Sequence, residues 1–179
     1  MVPAGYMYKR VVAAPDWLEG LDADIYSVSG CMSEAFADYI RHWRHNGYWL
    51  FDSAEIMEAL AGEQGIDLTG LTLFYYEVFG EQYDQVSRHW TTFGPESGCS
   101  TNVAAPEAKH LEGYDVVTFA AQSSPECSPL SCNALATRAA VNRHCLFASF
   151  DEARASLEQG FFDECEPGPF RIFAVYTLA

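Results

Sequence analysis

The sequence predicts an α+β fold: two similar β-β-α-β-α-β halves facing each other across an approximate two-fold axis, in one compact domain with mixed sheets. Three observations carry that expectation. Short apolar, β-branched and aromatic runs alternate with stretches whose apolar residues recur at helical spacing. The second half of the chain echoes the first: Val12-Ala13-Ala14-Pro15 recurs at Val103–Pro106, Leu18-Glu19-Gly20 at Leu111–Gly113, and Leu50-Phe51 with Ser53 at Leu146-Phe147 with Ser149. Between Cys31 and Ser53 the correspondence runs without a gap at an offset of 96, and the offset grows from 91 through 93 to reach it, as small loop insertions would make it. The expected organisation is a first repeat over residues 1–83, a connection over 84–102 and a second repeat over 103–179.

Each element has a local reason. Tyr8 to Ala14 reads as a strand stopped by Pro15, and Ile25 to Val28 as a short strand closing at Gly30. Ser33 caps a predicted helix whose Phe36, Tyr39, Ile40 and Trp43 share one face, with Asn46-Gly47 at its end. Tyr48 to Phe51 is extended. Asp52 or Ser53 then caps a helix with Ile56, Met57 and Leu60 inward, closed by Gly65. Leu71 to Phe79 is the clearest strand, apolar on both faces except for Glu77, so both faces need cover. In the second half, Tyr114 to Ala120 reads as a strand, Leu130 to Val141 as a helix and Cys145 to Ala148 as extended. Ser149 and Glu152 form a capping box ahead of a helix facing inward through Ala153 and Leu157. Pro167-Gly168-Pro169 turns the chain into a last strand, Phe170 to Leu178. The polar stretch 84–102, with Gly94-Pro95 and Gly98, reads as a connecting loop.

Composition narrows the function classes. The 179 residues are 49% apolar and 15% aromatic, enough for a sizeable core. Net charge is −15, and neither half has a basic face, which argues against direct grip on a nucleic-acid backbone. No apolar run reaches the ~18 residues that a membrane span needs, and residues 1–10 lack the stages of a signal peptide, so a cytoplasmic protein is expected. Neither a G-x-G-x-x-G nor a P-loop pattern occurs, and no cofactor is indicated.

The stretch from Ser124 to Asn133 carries most of the available chemistry, because it leads from a strand into a helix start. Three roles are open to it. In the first, prolines shape the loop, serines cap, and cysteines pack as small apolar groups. In the second, Cys127 is a nucleophile with His144 as base, or His110, and Asn133 or Asn142 orients the imidazole. Glu126 opposes that role, since an adjacent carboxylate raises a thiol pKa. In the third, Cys127, Cys132, Cys145 and His144 hold a metal. C-x4-C is loose for a chelating pair and adjacent His144 and Cys145 point apart when extended, so no metal site is expected.

The recurrence sharpens these alternatives. Cys127 falls on Cys31, whereas Cys132 falls on Phe36 and Cys145 on Trp49, so Cys132 and Cys145 are expected to be core. Candidate ligand contacts are Cys31, Glu126, Ser128 and Asn133 at the loop-to-helix corners, with Tyr75 from the aromatic strand. The functional expectation is an acidic binding protein that engages a protein partner or small ligand between its repeats. A hydrolase or transferase acting through Cys127 is one alternative, and an acidic inhibitor imitating nucleic acid is another.

Overall fold

The computed structural model describes residues 1–13, 16–18, 24–29, 36, 48–94, 102–119 and 127–178. The predicted helix over 33–45 lies outside these residues, apart from the buried Phe36. The described strands are β1 (Val2–Lys9), β2 (Val12–Ala13), β3 (Asp24–Ile25), β4 (Thr72–Asp84), β5 (His89–Thr92), β6 (Lys109–Thr118) and β7 (Phe170–Leu178). The described α-helices are α1 (Ala54–Gln64), α2 (Pro129–Cys132) and α3 (Phe150–Glu158).

The main sheet runs β1-β4-β7-β6, with β5 continuing the β1 side of β4. Every described pairing is antiparallel, which corrects the expected mixed sheet. The chain path explains this. Phe51 bridges Tyr6 antiparallel to β1, and α1 then carries the chain over to β4. Phe51 and β4 therefore run parallel, but β1 lies between them and keeps all neighbours antiparallel. Phe147, α3 and β7 follow the same path around β6, through the Tyr114–Phe147 bridge.

The helix caps form as the residues dictate. The Ser53 hydroxyl accepts from the Ile56 N–H, and Gly65 ends α1 at φ 70°. Ser149 and Glu152 make the reciprocal capping box of α3. Several other expectations are corrected. The first strand is Val2–Lys9 rather than 8–14, and of the stretch 25–28 only Ile25 belongs to a strand, Asp24–Ile25. The helix expected over 130–141 stops after α2, because Ala134 turns left-handed at φ 56° and a 3-10 turn, Leu135–Thr137, follows. The stretch 84–102 is more than a connection: Asp84 Oδ1 accepts from the Val86 and Ser87 N–H groups, and this turn folds β5 back onto β4. The earliest sequence recurrences fall on unlike elements. Leu18 sits in a 3-10 turn, whereas Leu111 to Gly113 lie within β6.

Register sorts the side chains onto two faces. Tyr6, Tyr8, Tyr75, Glu77, Ala174, Tyr176 and Tyr114 share one face. Both longer helices lie on it: the Tyr8 hydroxyl donates to Glu58 of α1, and Phe150 of α3 packs on Tyr114. Met7, Lys9, Phe74, Tyr76, Phe173 and Asp115 share the other face. Residues 24–29 strap across that face, with Tyr26 packed edge-on against Phe74. Tyr75 and Tyr76 are both fully buried, as two-sided cover requires. Among the described residues, no helix is long and apolar enough to cross a membrane.

Candidate functional site

On the strap face, a buried lysine and a buried carboxyl hold the sheet and the strap together. Lys9, 3% exposed, comes from an apolar strand and donates through Nζ to the carbonyls of Ser27, Val28 and Ser29 at 2.7–3.0 Å. Asp115 has no exposed surface. Its Oδ2 accepts from the Val28 N–H at 2.7 Å and the Ser128 hydroxyl at 2.6 Å, while Oδ1 has no partner among the described residues. Burial pushes the Asp115 carboxyl up to about 7, against the lowering effect of Ser128 and the Val28 N–H. Ser128 is thus a structural link: its Oγ donates to Asp115 and accepts from the Ser29 N–H at 3.2 Å.

The proposed nucleophile sits beside this cluster. Cys127 is buried, and its thiol points to Asn133 Oδ1 at 3.2 Å. A hydrogen bond with Cys132, then burial, raises its thiol well above the ordinary cysteine range. Such a thiol holds its proton instead of attacking. His144 has a separate set of partners. Its ring stacks on Tyr26 at 3.8 Å, Nδ1 lies 3.0 Å from the Asp24 carbonyl, and Nε2 lies 3.8 Å from Glu112 Oε2. No contact joins it to Cys127 among the described residues. Asn142, considered as its orienter, accepts from the His144 and Leu146 backbone N–H groups and donates to the Glu112 carbonyl; it shapes the chain rather than the imidazole. Cys31 and Glu126 lie outside the described residues.

Cys145 is buried as expected, and burial pushes its thiol up to about 11. Cys132 is exposed, which corrects its assignment to the core: α2 ends after one turn, so the residue does not face inward along a longer helix. Among the described residues, no cluster of three or more His, Cys, Asp or Glu is placed to hold a metal.

The helix-bearing face offers a different arrangement. Tyr75 lies at the centre of the sheet, its ring 5.0 Å from that of Tyr6 and 5.7 Å from that of Tyr176. Glu77, one pleat along, accepts from Lys109, Tyr176 at 2.8 Å and Tyr75 at 3.3 Å. Burial pushes the Glu77 carboxyl up, but donation from Lys109 and the two phenols outweighs it, so the carboxyl stays below its ordinary range. Lys109 Nζ also stands over the Tyr176 ring at 4.3 Å and the Tyr75 ring at 5.0 Å. Burial and the nearby Glu77 raise both phenols, so they remain donors.

A cavity of about 410 Å³ opens beside this cluster. It is walled by Tyr6, Leu178, the start of α1 from Asp52 to Glu55, and the segment around Ala104 and Glu107. The Tyr6 hydroxyl donates to the Ala104 carbonyl at 2.6 Å and so fixes one wall. No lysine or arginine is among its described lining residues, whereas Asp52, Glu55 and Glu107 are. The buried Oδ1 of Asp52 has no hydrogen-bond partner among the described residues.

Tyr75, expected as a ligand contact, is fully buried and does not line the cavity, and sequence reasoning missed its polar neighbours. Glu77 was visible as the lone charge in an aromatic strand, and Asp115 as a lone acid before Val116-Val117. Lys109 and Tyr176 carried no local signal, because only strand pairing brings them to Glu77. No family model, curated protein or solved structure matches this chain.

Proposed function

We propose that this protein is a non-catalytic binding module made of two duplicated halves, 1–83 and 103–179, and that it takes a cationic ligand in the cleft on its helix-bearing face. The duplication reading is supported by the register. Tyr75 pairs with Tyr176 and Glu77 with Ala174, symmetrically about the Tyr76–Val175 pair. Equivalent features recur around that centre. Gly5 and Gly113 have φ of 142° and 149° next to matching strand irregularities. Trp49 and Cys145 have φ of 63° and 59°, at the offset of 96 read from the sequence. Ser53 and Ser149 cap equivalent helices.

The observation that carries the binding reading is the cavity: aromatic at Tyr6 and acidic at Asp52, Glu55 and Glu107. Carboxylates grouped around an aromatic ring suit a ligand ammonium or guanidinium. The chain's charge of −15 draws cations towards it from any direction. The ligand is a basic side chain of a protein partner or a small organic amine. The raised Cys127 thiol disfavours the hydrolase or transferase alternative.

Titrating ¹⁵N-labelled protein with a lysine- and arginine-rich peptide, and separately with a primary alkylamine, tests this. Amide shifts are expected at Tyr6, Ser53 to Glu55, the 102–107 wall and Leu178, and are expected to vanish when Asp52→Asn and Glu55→Gln are combined. Shifts elsewhere, or none with either probe, would overturn the reading.

A further inference from the structure

Lys109 sits in a site already built for a cation. Its Nζ stands 4.3 Å from the centre of the Tyr176 ring and 5.0 Å from that of Tyr75, and it pairs with Glu77 Oε1. The site does not need the lysine to hold its shape. Glu77 Oε1 accepts from the Tyr75 hydroxyl and Oε2 from the Tyr176 hydroxyl, so the phenols alone fix the carboxylate while their rings remain under the cation. A carboxylate beside two aromatic faces is suited to an ammonium group.

The chain has two lysines, and they are held differently. Lys9 is 3% exposed, and three carbonyls of the strap take its ammonium. Lys109 is the first residue of β6, at the end of the sheet, and its side chain is 26% exposed. It can swing into solvent when another cation replaces it at Glu77, because the exchange leaves the charge of the site unchanged. The acidic cavity adjoins this site. Tyr6, in the cavity wall, packs on Tyr75 at 5.0 Å, and Leu178, also in the wall, is the strand partner of Lys109.

We propose that Glu77, Tyr75 and Tyr176 form an inner cation subsite, occupied in the free protein by Lys109 as a tethered stand-in, and that a primary ammonium group on an unbranched chain takes its place. The inference rests on the cleft reading, since the cavity is the way in. The ligand class follows from the stand-in, which is itself a primary ammonium on a flexible alkyl stem. A tethered group competes at an effective concentration on the order of mM. The outer cavity therefore fills first, and Lys109 yields at higher ligand concentration.

Full-length protein labelled with ¹³C at the lysine ε-carbons gives two side-chain signals, and the one missing from Lys109→Ala is Lys109. Shielding by the two rings is expected to place its ε-protons upfield of free lysine. Titration with n-butylammonium chloride is expected to shift the cavity amides first and then to move the Lys109 signal to the free-lysine position, whereas sodium chloride at the same ionic strength is not. A short lysine peptide titrated in parallel separates the sources: displacement at lower concentration by the peptide assigns the subsite to a protein partner, and by butylammonium to a free amine. A subsite open roughly a tenth of the time binds about tenfold more weakly, so Lys109→Ala is expected to gain about that factor for butylammonium at the Tyr176 amide, and adding Glu77→Gln to remove the gain. The wild-type titration decides the matter even if a variant misfolds. Cavity amides that shift while the Lys109 signal stays shielded would overturn this inference and leave the cleft reading intact; no response at either place would end both. A Lys109 signal at the free-lysine position before any ligand, or moved equally by sodium chloride, would overturn the inference as well.

Discussion

Replacing Asp115 by Asn removes a proton exchange that makes the fold less stable as pH rises. An exposed aspartate titrates near 3.9, and burial pushes Asp115 up to about 7. Between those values the folded protein binds a proton that the unfolded chain has released. The stabilisation from the protonated carboxyl is therefore complete below about pH 4 and lost as pH climbs to about 7. The slope is about 1.4 kcal/mol per pH unit, and the whole interval amounts to about 4 kcal/mol. An asparagine in the same pocket can accept through Oδ1 from the Val28 N–H and the Ser128 hydroxyl, and it does not titrate. Urea unfolding of wild type and Asp115→Asn, followed by fluorescence of the four tryptophans at pH 5, 6, 7 and 8, gives the difference directly. Wild type is expected to lose about 1.4 kcal/mol per unit relative to the variant up to about pH 7, and nothing further above it. Other carboxylates titrate equally in both proteins and cancel. Parallel stability curves between pH 5 and 7, or a wild type that gains on the variant as pH rises, would refute the assignment.

Two further predictions concern the scaffold. Gly113 has φ +149°, and a Cβ there would lie 2.7 Å from both Leu146 Cβ and the Phe147 carbonyl oxygen, so Gly113→Ala is expected to lower the unfolding free energy by at least about 2 kcal/mol in the same assay. Ser149→Ala removes the acceptor for the Glu152 N–H in the α3 capping box and is expected to cost about 1 kcal/mol, with Ser149→Asp restoring most of it; equal midpoints for Ser149→Ala and wild type would show that the cap adds nothing.

The parts of the fold legible in the sequence are those decided within a few residues. Ser53 with Gly65, and Ser149 with Glu152, bound their helices because capping groups act across one turn. The aromatic run before Phe79 and the final run from Phe170 are strands because their residues suit a pleated, covered surface. The helix expected over 130–141 failed for a tertiary reason. Ser128 is committed to Asp115 and Leu130 and Leu135 are both buried, which favours a broken chain over a straight helix. In the candidate sites, Tyr75, Ser128 and Cys127 were identifiable by type, but not what each touches. Cys127 resembled a nucleophile by position; its hydrogen bonds and burial make it a protonated thiol.

By itself, the sequence determined an acidic α+β chain with two capped helices, strands needing cover on both faces, and a recurrence at an offset of 96. Those properties reside in local stereochemistry and in the order of residue types. Only tertiary structure decided that every described strand pairing is antiparallel, that Lys9 and Asp115 hold the strap, and that Glu77, Lys109 and Tyr176 converge. These pairings join residues tens of positions apart. Their energy depends on burial and on strand register, and no window of sequence contains either.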